Sequence, residues 1–315
     1  MSEEAPVAVG VDVGGTKVVA LRIDATGHEL ARASHATPAD DMDATLQTLV
    51  ATSREVTSED AIGIGVAAAG MVEWGKGVLR YAPNLAWRDA AIADIVGGAL
   101  HVPVVVDNDC TAGAFGELQA GAARGFSHVL YVGVGTGIGG GLVLDGSVYR
   151  GAHGFAAEVG HIVVDPDGPV CGCGNRGCWE TVASGSAITR EGRAAARDHP
   201  ALAALAGGDP DAVTGQIVVE AAREGDPLAR GIVERVGRRL GEGLAGLANV
   251  LDPELIVVGG GVAGAGDLLL DPARQTFADR IEGAAYRPEV PIVEAALGSD
   301  SAAVGAALLA IADHG

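Results

Sequence analysis

The sequence predicts an α/β protein made of two related domains that face one cleft. Three observations carry this. Strand-like apolar runs alternate with helical stretches along the chain. The strand–turn–strand opening VDVGGTKVVAL at 11–21 is echoed by YVGVGTGIGGGLVL at 131–144. Glycine fills 49 of 315 positions, about twice the usual share. It gathers after apolar runs, at Gly14-Gly15, Gly133 to Gly141, Gly172 to Gly177 and Gly259 to Gly266, where backbone can approach a ligand.

In order, Val7 to Val13 is a β-branched run, Gly14-Gly15 turns it, and Val18 to Ile23 returns. A turn at Gly27 precedes a third strand over Glu29 to Thr37. Asp41 to Val56 has helical spacing, with Met42, Leu46, Leu49 and Val50 on one side. Ala61 to Ala67 and Val102 to Val106 read as short buried strands, with a helix over Asp89 to Leu100 between them. The second half starts similarly, with a strand at Val129 to Val134, a turn over Gly135 to Gly141 and a return at Leu142 to Leu144. Helices follow at Ser186 to Arg197 and Pro227 to Leu251, then a strand at Leu255 to Val258 and a closing helix at Ser301 to Ala312.

Hydrophobic residues make up 48% of the chain and aromatics 3%, so the core is built from Ala, Val, Leu and Ile. Twenty-one basic against 41 acidic residues give a net charge of −20. That charge disfavours nucleic acid and anionic membranes as partners, and reads as solubility or a salt-tolerant host. The start MSEEAPVAVG is acidic and runs straight into a strand, unlike a signal peptide. The longest stretch without a charged residue or histidine, Val129 to Leu144, is 16 glycine-rich residues, short for a membrane span. A soluble, cytoplasmic protein is expected.

Asp12-Val-Gly14-Gly15-Thr16-Lys17 puts a carboxylate, two glycines, a hydroxyl and an ammonium at one strand end. Glycine amides and Thr16 suit a phosphate, and Asp12 suits a water-bridged Mg²⁺. The segment ends Gly-Thr-Lys where a Walker A loop needs Gly-Lys-Thr or Gly-Lys-Ser, and no helix follows. A plain β-hairpin is the alternative. Gly135-Thr136-Gly137-Ile-Gly-Gly140 matches the dinucleotide fingerprint by letter but leads into a strand, so phosphate-facing amides fit it better. Gly259-Gly260-Gly261-Val262-Ala-Gly264 sits between a strand and a helix. There the acid a dinucleotide site needs falls near Glu282, inside the expected helix. The same turn equally suits the adenosine and α-phosphate end of ATP.

Cys171-Gly-Cys173-Gly-Asn-Arg-Gly-Cys178 packs three of the four cysteines into eight residues. In a reducing compartment such density points to metal rather than disulfides. Structural zinc takes four ligands, and His161, ten residues upstream, is the candidate for the fourth. Four protein ligands leave no open position, so the ion would fix the loop carrying Glu158 and Glu180. Cys110 stands apart as a small core residue. Val104 to Asp109 is a strand discharging onto Asp107, Asn108 and Asp109, where α/β folds place substrate sites. A helix cap is the default reading of Asp109 alone. Asn84, Asn108, Glu158, His161 and Glu180 are the hydrogen-bonding groups a polyhydroxylated sugar requires.

The chain resembles the ROK family of sugar repressors and kinases, and within it the bacterial ATP-dependent glucokinases. The resemblance rests on Asp12-Val-Gly-Gly-Thr-Lys17, Asn108-Asp109, Gly133-Val-Gly-Thr-Gly-Ile-Gly139, Glu158-Val-Gly-His161, Cys171 to Cys178 with Glu180, and Gly259-Gly-Gly-Val262, in order along nearly the whole chain. It implies the actin-like ATPase fold, with ATP in a cleft between a smaller domain, 1–108 joined by the helix 299–315, and a larger one, 109–298. It makes Asp109 the base and Asn84, Asn108, Asp109, Glu158, His161 and Glu180 the sugar-binding residues. Asp12, Gly14, Gly15, Thr16, Lys17, Gly135, Thr136, Gly137, Gly260, Gly261 and Val262 are then the contacts of Mg²⁺-ATP. His161, Cys171, Cys173 and Cys178 are the zinc ligands. Relatives often carry Asp-Ala-Asn where this chain has Asp109-Cys-Thr111.

The expected reaction is phosphoryl transfer from ATP to the 6-hydroxyl of glucose, which calls for positioning and charge neutralisation more than covalent chemistry. Fructose, mannose or N-acetylmannosamine as acceptor, and polyphosphate as donor, are alternatives within the family, whose members are commonly dimers or tetramers. A sugar-responsive repressor is the alternative of another class; only six residues precede the first strand, too few for a winged helix. An NAD-dependent oxidoreductase built on Gly259 to Gly264 leaves Asp109, Glu158, Glu180 and the cysteine loop unexplained.

Overall fold

The computed structural model describes residues 5–83 and 85–315. The chain opens with β1 (Val7–Val13), β2 (Lys17–Asp24), β3 (Glu29–Ala36), α1 (Met42–Val56) and β4 (Ala61–Ala68). Three short strands follow, β5 (Met71–Glu73), β6 (Val78–Tyr81) and β7 (Arg88–Ala90), then α2 (Ile92–Leu100), β8 (Val104–Asn108) and α3 (Asp109–Ala120). Next come β9 (Val129–Val134), β10 (Ile138–Leu144) and β11 (Ser147–Tyr149), and the helices α4 (Glu180–Ala183), α5 (Gly185–Ala196), α6 (Pro200–Ala204), α7 (Gly215–Arg223) and α8 (Pro227–Leu251). The chain closes with β12 (Leu255–Gly259), α9 (Asp267–Arg280), β13 (Ile292–Glu294) and α10 (Ser301–His314).

These elements form two compact units. One comprises Met1–Tyr131, Gly140–Ala157 and Ala295–Gly315; the other comprises Val132–Gly139 and Glu158–Glu294. The division passes through β9 and β10.

In the first unit the sheet order is β3-β2-β1-β4-β8. β1 pairs antiparallel with β2 and parallel with β4, and β4 pairs parallel with β8. Strand alternation gives this sheet two apolar faces. Val9, Val11, Val13, Val18, Ile64 and Val66 pack with Leu46 and Leu49 of α1 and Ile92 and Val96 of α2. Ala8, Val19, Leu21 and Ile23 pack instead with Ala303, Val304 and Ala307 of α10. Glycine brings α10 onto its neighbours: a Cβ on Gly10 of β1 would lie 1.8 Å from Ala303 O, and one on Gly65 of β4 1.8 Å from Ala306 O. One on Gly305 of α10 would lie 1.8 Å from Ala112 O of α3.

The second sheet has the order β11-β10-β9-β12-β13. The pattern is that of the first sheet, and the echoed openings β1–β2 and β9–β10 occupy equivalent places. The second unit's longest helix, α8, starts where the sequence places it: Asp226 caps it by accepting from Ala229 N at 2.8 Å, with Pro227 at its first position.

Three expectations need correction. The helix expected from Asp89 begins at Ile92, because Asp89 belongs to the three-stranded sheet β5-β6-β7. Its φ is +49° and its carboxylate pairs with Arg80 of β6 at 2.8 Å. The strand expected at Val102 begins at Val104, after Pro103, which has no N–H for a ladder. The return after Gly135 begins at Ile138, well before Leu142. Among the described residues no helix is long and apolar enough to cross a membrane.

Candidate active site

In the first unit two strand ends carry the candidate residues. The turn between β1 and β2 is a hairpin, with Gly14 N–H donating to Lys17 O at 3.1 Å. Thr37 braces it: its hydroxyl donates to Gly14 O at 2.7 Å and its N–H to Thr16 O at 3.0 Å. Thr16 and Lys17 are exposed, and no helix follows, so the segment is not a Walker A loop.

At the end of β8 the helix cap is Asn108, not Asp109. Asn108 Oδ1 accepts from Cys110 N at 2.9 Å and Thr111 N at 3.0 Å, while its amide donates to Gly70 O at 3.1 Å. Asp109 is thereby relieved of capping and becomes the first residue of α3. Burial is the largest influence on its carboxyl and raises its pKa, against lowering by hydrogen bonds from the Cys110 and Asp109 amides and from the Cys110 and Asn108 side chains. Asp12 is pushed up to about 7, first by burial and then by the negative charge of Asp109; Lys17 opposes and Asp300 adds to the rise. A buried carboxyl raised further by a neighbouring carboxylate marks a site short of positive charge. Oxygen donors of this kind suit a hydrated Mg²⁺.

Sequence reasoning missed two groups, one on β8 next to Asn108 and one farther along α3. Asp107 is buried, with Arg150 Nε and Nη2 both 2.8 Å from its Oδ2. The guanidinium also lies 3.6 Å from the centre of the Trp74 ring. Burial still raises the Asp107 carboxyl to about 6, outweighing Arg150. Glu117, fully buried in α3, accepts four hydrogen bonds, from Ala122 N, Ala296 N, Leu297 N and Ser301 Oγ at 2.7–3.0 Å. Three of the four donors to Glu117 come from residues 296–301, far along the chain, so no local pattern marks it. None marks Arg150 either.

In the second unit the β9–β10 turn is also a hairpin, with Gly135 N–H donating to Gly137 O at 3.0 Å. The first amides of α5 hold it: Gly185 N donates to Gly135 O at 2.8 Å and Ser186 N to Thr136 O at 3.2 Å. Gly137 makes room for Glu180, since a Cβ there would sit 2.3 Å from Glu180 Oε2. After β12, Gly260 has φ +85° and a Cβ there would meet Val134 O at 2.5 Å; Val262 N donates to the same oxygen at 2.9 Å. A short 3₁₀ turn, Ala263–Ala265, then precedes α9. Glu282 lies beyond Arg280, the end of α9, rather than inside the helix as expected. It ends no strand either, so the dinucleotide fingerprint lacks its acid.

The ligand atoms of His161, Cys171, Cys173 and Cys178 lie within 4.8 Å of one another. His161 Nδ1 is 3.6 Å from Cys171 Sγ, and Cys173 Sγ is 3.7 Å from Cys178 Sγ. Bonds of about 2.3 Å to a tetrahedral zinc would place ligand sulfurs roughly 3.8 Å apart, so this donor set fits zinc. Cys110 is not among the four. The cluster reaches both glutamates. Glu158 Oε2 is 3.9 Å from His161 Nε2, and Glu180 Oε1 is 3.7 Å from His161 Nδ1 and 2.9 Å from Cys171 Sγ. Glu180 Oε2 accepts from Ile138 N at 3.3 Å. Asn84 lies outside the described residues.

The chain is 38% identical to a glucokinase of Streptomyces coelicolor over 308 residues, covering 96% of each chain. It is 37% identical to a glucokinase of Halalkalibacterium halodurans, covering 94% of this chain and 92% of that one. Among solved structures it is similar to a ROK family glucokinase from Streptomyces griseus in complex with glucose and AMPPNP. That similarity has a TM-score of 0.90 and 40% identity over 97% of this chain and 99% of the other. The ROK family model matches residues 8–313. With its two like-ordered sheets and actin-like ATPase fold, the chain belongs to the ROK family.

Proposed function

We propose that this chain transfers the terminal phosphoryl group of ATP to the 6-hydroxyl of glucose, giving glucose 6-phosphate and ADP, with Asp109 as the base. The observation that carries the reading is the release of Asp109 from capping by Asn108, beside Asp12, in a chain so similar to glucokinases. A carboxylate whose pKa is raised by burial takes up the hydroxyl proton more readily than an exposed one.

Asn108, Glu158, His161 and Glu180, with Asn84, hold the sugar hydroxyls, and Asp109 orients the attacking oxygen as it accepts the proton. Amides of Gly15 and Gly137, with Thr16, Lys17 and Thr136, neutralise phosphate charge, while Gly14 and Gly135 bring the two turns up to the phosphates with their own N–H groups closing the hairpins. Gly260, Gly261 and Val262 carry the adenosine end. Asp12 holds the hydrated Mg²⁺ of the nucleotide, which supplies positive charge to the phosphates. His161, through Nδ1, and the three cysteines hold a structural zinc. That leaves His161 Nε2 toward Glu158, an outer-shell arrangement that orients both side chains.

A coupled assay over a panel of hexoses with ATP or polyphosphate tests the reading, with glucose and ATP expected to give the highest kcat/KM. Asp109→Asn should lower kcat by about 10²–10⁴-fold while leaving glucose binding intact. Turnover by this variant above a tenth of the wild-type rate would overturn the assignment of the base.

A further inference from the structure

Asp107 and Arg150 take no part in the chemistry just described, yet they are built into the strand end that delivers Asp109. We propose that Arg150 is a positioning residue for phosphoryl transfer: through Asp107 it fixes Asn108, the residue that precedes the base, and so aims Asp109. The inference rests on the glucokinase reading and names a residue that reading does not contain.

The chain of contacts is continuous. Arg150 places Nε and Nη2 on Asp107 Oδ2, both at 2.8 Å, and Asp107 Oδ1 accepts the Asn108 N–H at 2.9 Å. Asn108 then has its N–H on Asp107, its Oδ1 on the Cys110 and Thr111 amides and its Nδ2 on Gly70 O. The residue before the base is thus held through its amide and both side-chain polar atoms, and Arg150 anchors the set. Arg150 is fixed in turn by the Trp74 ring at 3.6 Å. The loop after it lies against β5, where a Cβ on Gly154 would meet Val72 O at 2.4 Å.

Stability alone is a weak account of such a pair. Arg150 and Asp107 side chains are 16% and 3% exposed, and a buried ion pair is rarely more stabilising than an apolar pair of the same shape. What the pair adds is direction. A planar fork stacked on an indole and bonded to one carboxylate oxygen has a defined orientation that a lysine ammonium lacks. Without Arg150 the carboxyl becomes an unpaired buried charge or a protonated acid, and either state alters the acceptor that holds Asn108.

The test compares Arg150→Met, Arg150→Lys, Asp107→Asn and the double variant Arg150→Met/Asp107→Asn with the wild type. Positions about 1 Å off can cost on the order of a hundredfold in rate. Arg150→Met is therefore expected to lower kcat about tenfold to a hundredfold, with KM for ATP unchanged within about twofold. Arg150→Lys, which keeps the charge and loses the fork, should lower kcat by about tenfold. The double variant should recover at least about threefold over Arg150→Met, because the substituted amide oxygen still accepts from Asn108 N–H and leaves no orphaned charge.

Folded Arg150→Met with kcat within about threefold of wild type, or losses that simply multiply in the double variant, would overturn the inference. Should Arg150→Met fail to fold, wild-type kcat in Arg150→Lys would overturn it instead. A wild-type protein that phosphorylates no hexose would sink the glucokinase reading itself, a separate outcome from any ratio between variants.

Discussion

Glu117→Gln is the sharpest test of how α3 is fastened. Glu117 Oε1 accepts from Leu297 N at 2.9 Å and Ser301 Oγ at 2.8 Å; Oε2 accepts from Ala122 N at 2.7 Å and Ala296 N at 3.0 Å. Glutamine replaces one oxygen with an NH₂ group, which then faces two donors. If it replaces Oε1, the Ser301 hydroxyl can turn to Gly298 O, which it already approaches at 2.9 Å, and accept from the amide. Only Leu297 N is then orphaned, at about 1–3 kcal/mol. If it replaces Oε2, two backbone donors are orphaned and the cost doubles. The favoured flip sets the expectation at about 2 kcal/mol, plus the lost charge assistance of the remaining bonds. For units of this size that is a fall of about 4–8 °C in Tm. Glu117→Leu, which orphans all three backbone donors, should fall further. Thermal unfolding of the purified ligand-free protein reads both. A Glu117→Gln protein melting within about 1 °C of wild type would refute the reasoning.

Asp12 and Asp107 have folded pKa values near 7 and 6 against 3.8 for an ordinary aspartate, so the folded state binds more protons than the unfolded one between those values. Their contribution to stability is present at low pH and is lost as pH rises toward 7. Ligand-free Tm should fall between about pH 5 and 7.5, and Asp12→Asn should flatten that slope; an unchanged slope contradicts it. Freshly purified protein should contain about one zinc per chain, and Cys173→Ser should lower both zinc content and Tm. Metal analysis that finds none contradicts the site. Gly305→Ala puts a Cβ 1.8 Å from Ala112 O. Forcing α3 and α10 apart should cost at least about 2 kcal/mol by chemical denaturation, and wild-type stability would count against that packing.

What was legible in the sequence was what is local. The β1–β2 hairpin announces itself through Gly14-Gly15 between β-branched runs, α8 through Asp226-Pro227 and a long apolar stripe, and the metal cluster through three cysteines in eight residues. The three-stranded sheet at 71–90 was illegible because its strands are three or four residues long and carry Glu73, Arg80 and Asp89. Their pairing, not their periodicity, makes them strands. Asp109 was legible as a site, yet the division of labour between Asn108 as the helix cap and Asp109 as the first residue of α3 depends on side-chain direction. Arg150 and Glu117 were illegible for another reason. Their partners lie 43 residues away at Asp107 and 184 residues away at Ser301, and no pattern over a short window links such pairs.

The seating of α10 against Gly10, Gly65 and Gly305 bears on how the protein is made. The face of the first sheet that carries Ala8, Val19, Leu21 and Ile23 is finished by residues 303–310. The strands of that sheet are complete once Asn108 has been synthesised, but their cover leaves the ribosome about 190 residues later. At ordinary elongation rates that interval is roughly 10–40 s. Meanwhile the second unit, all of which precedes α10, is available to fold ahead of the first. Chaperone occupancy should therefore concentrate on the earliest-made sheet. A chain released before residue 301 carries an uncovered apolar surface for its lifetime, a mark by which proteases distinguish incomplete copies from finished ones.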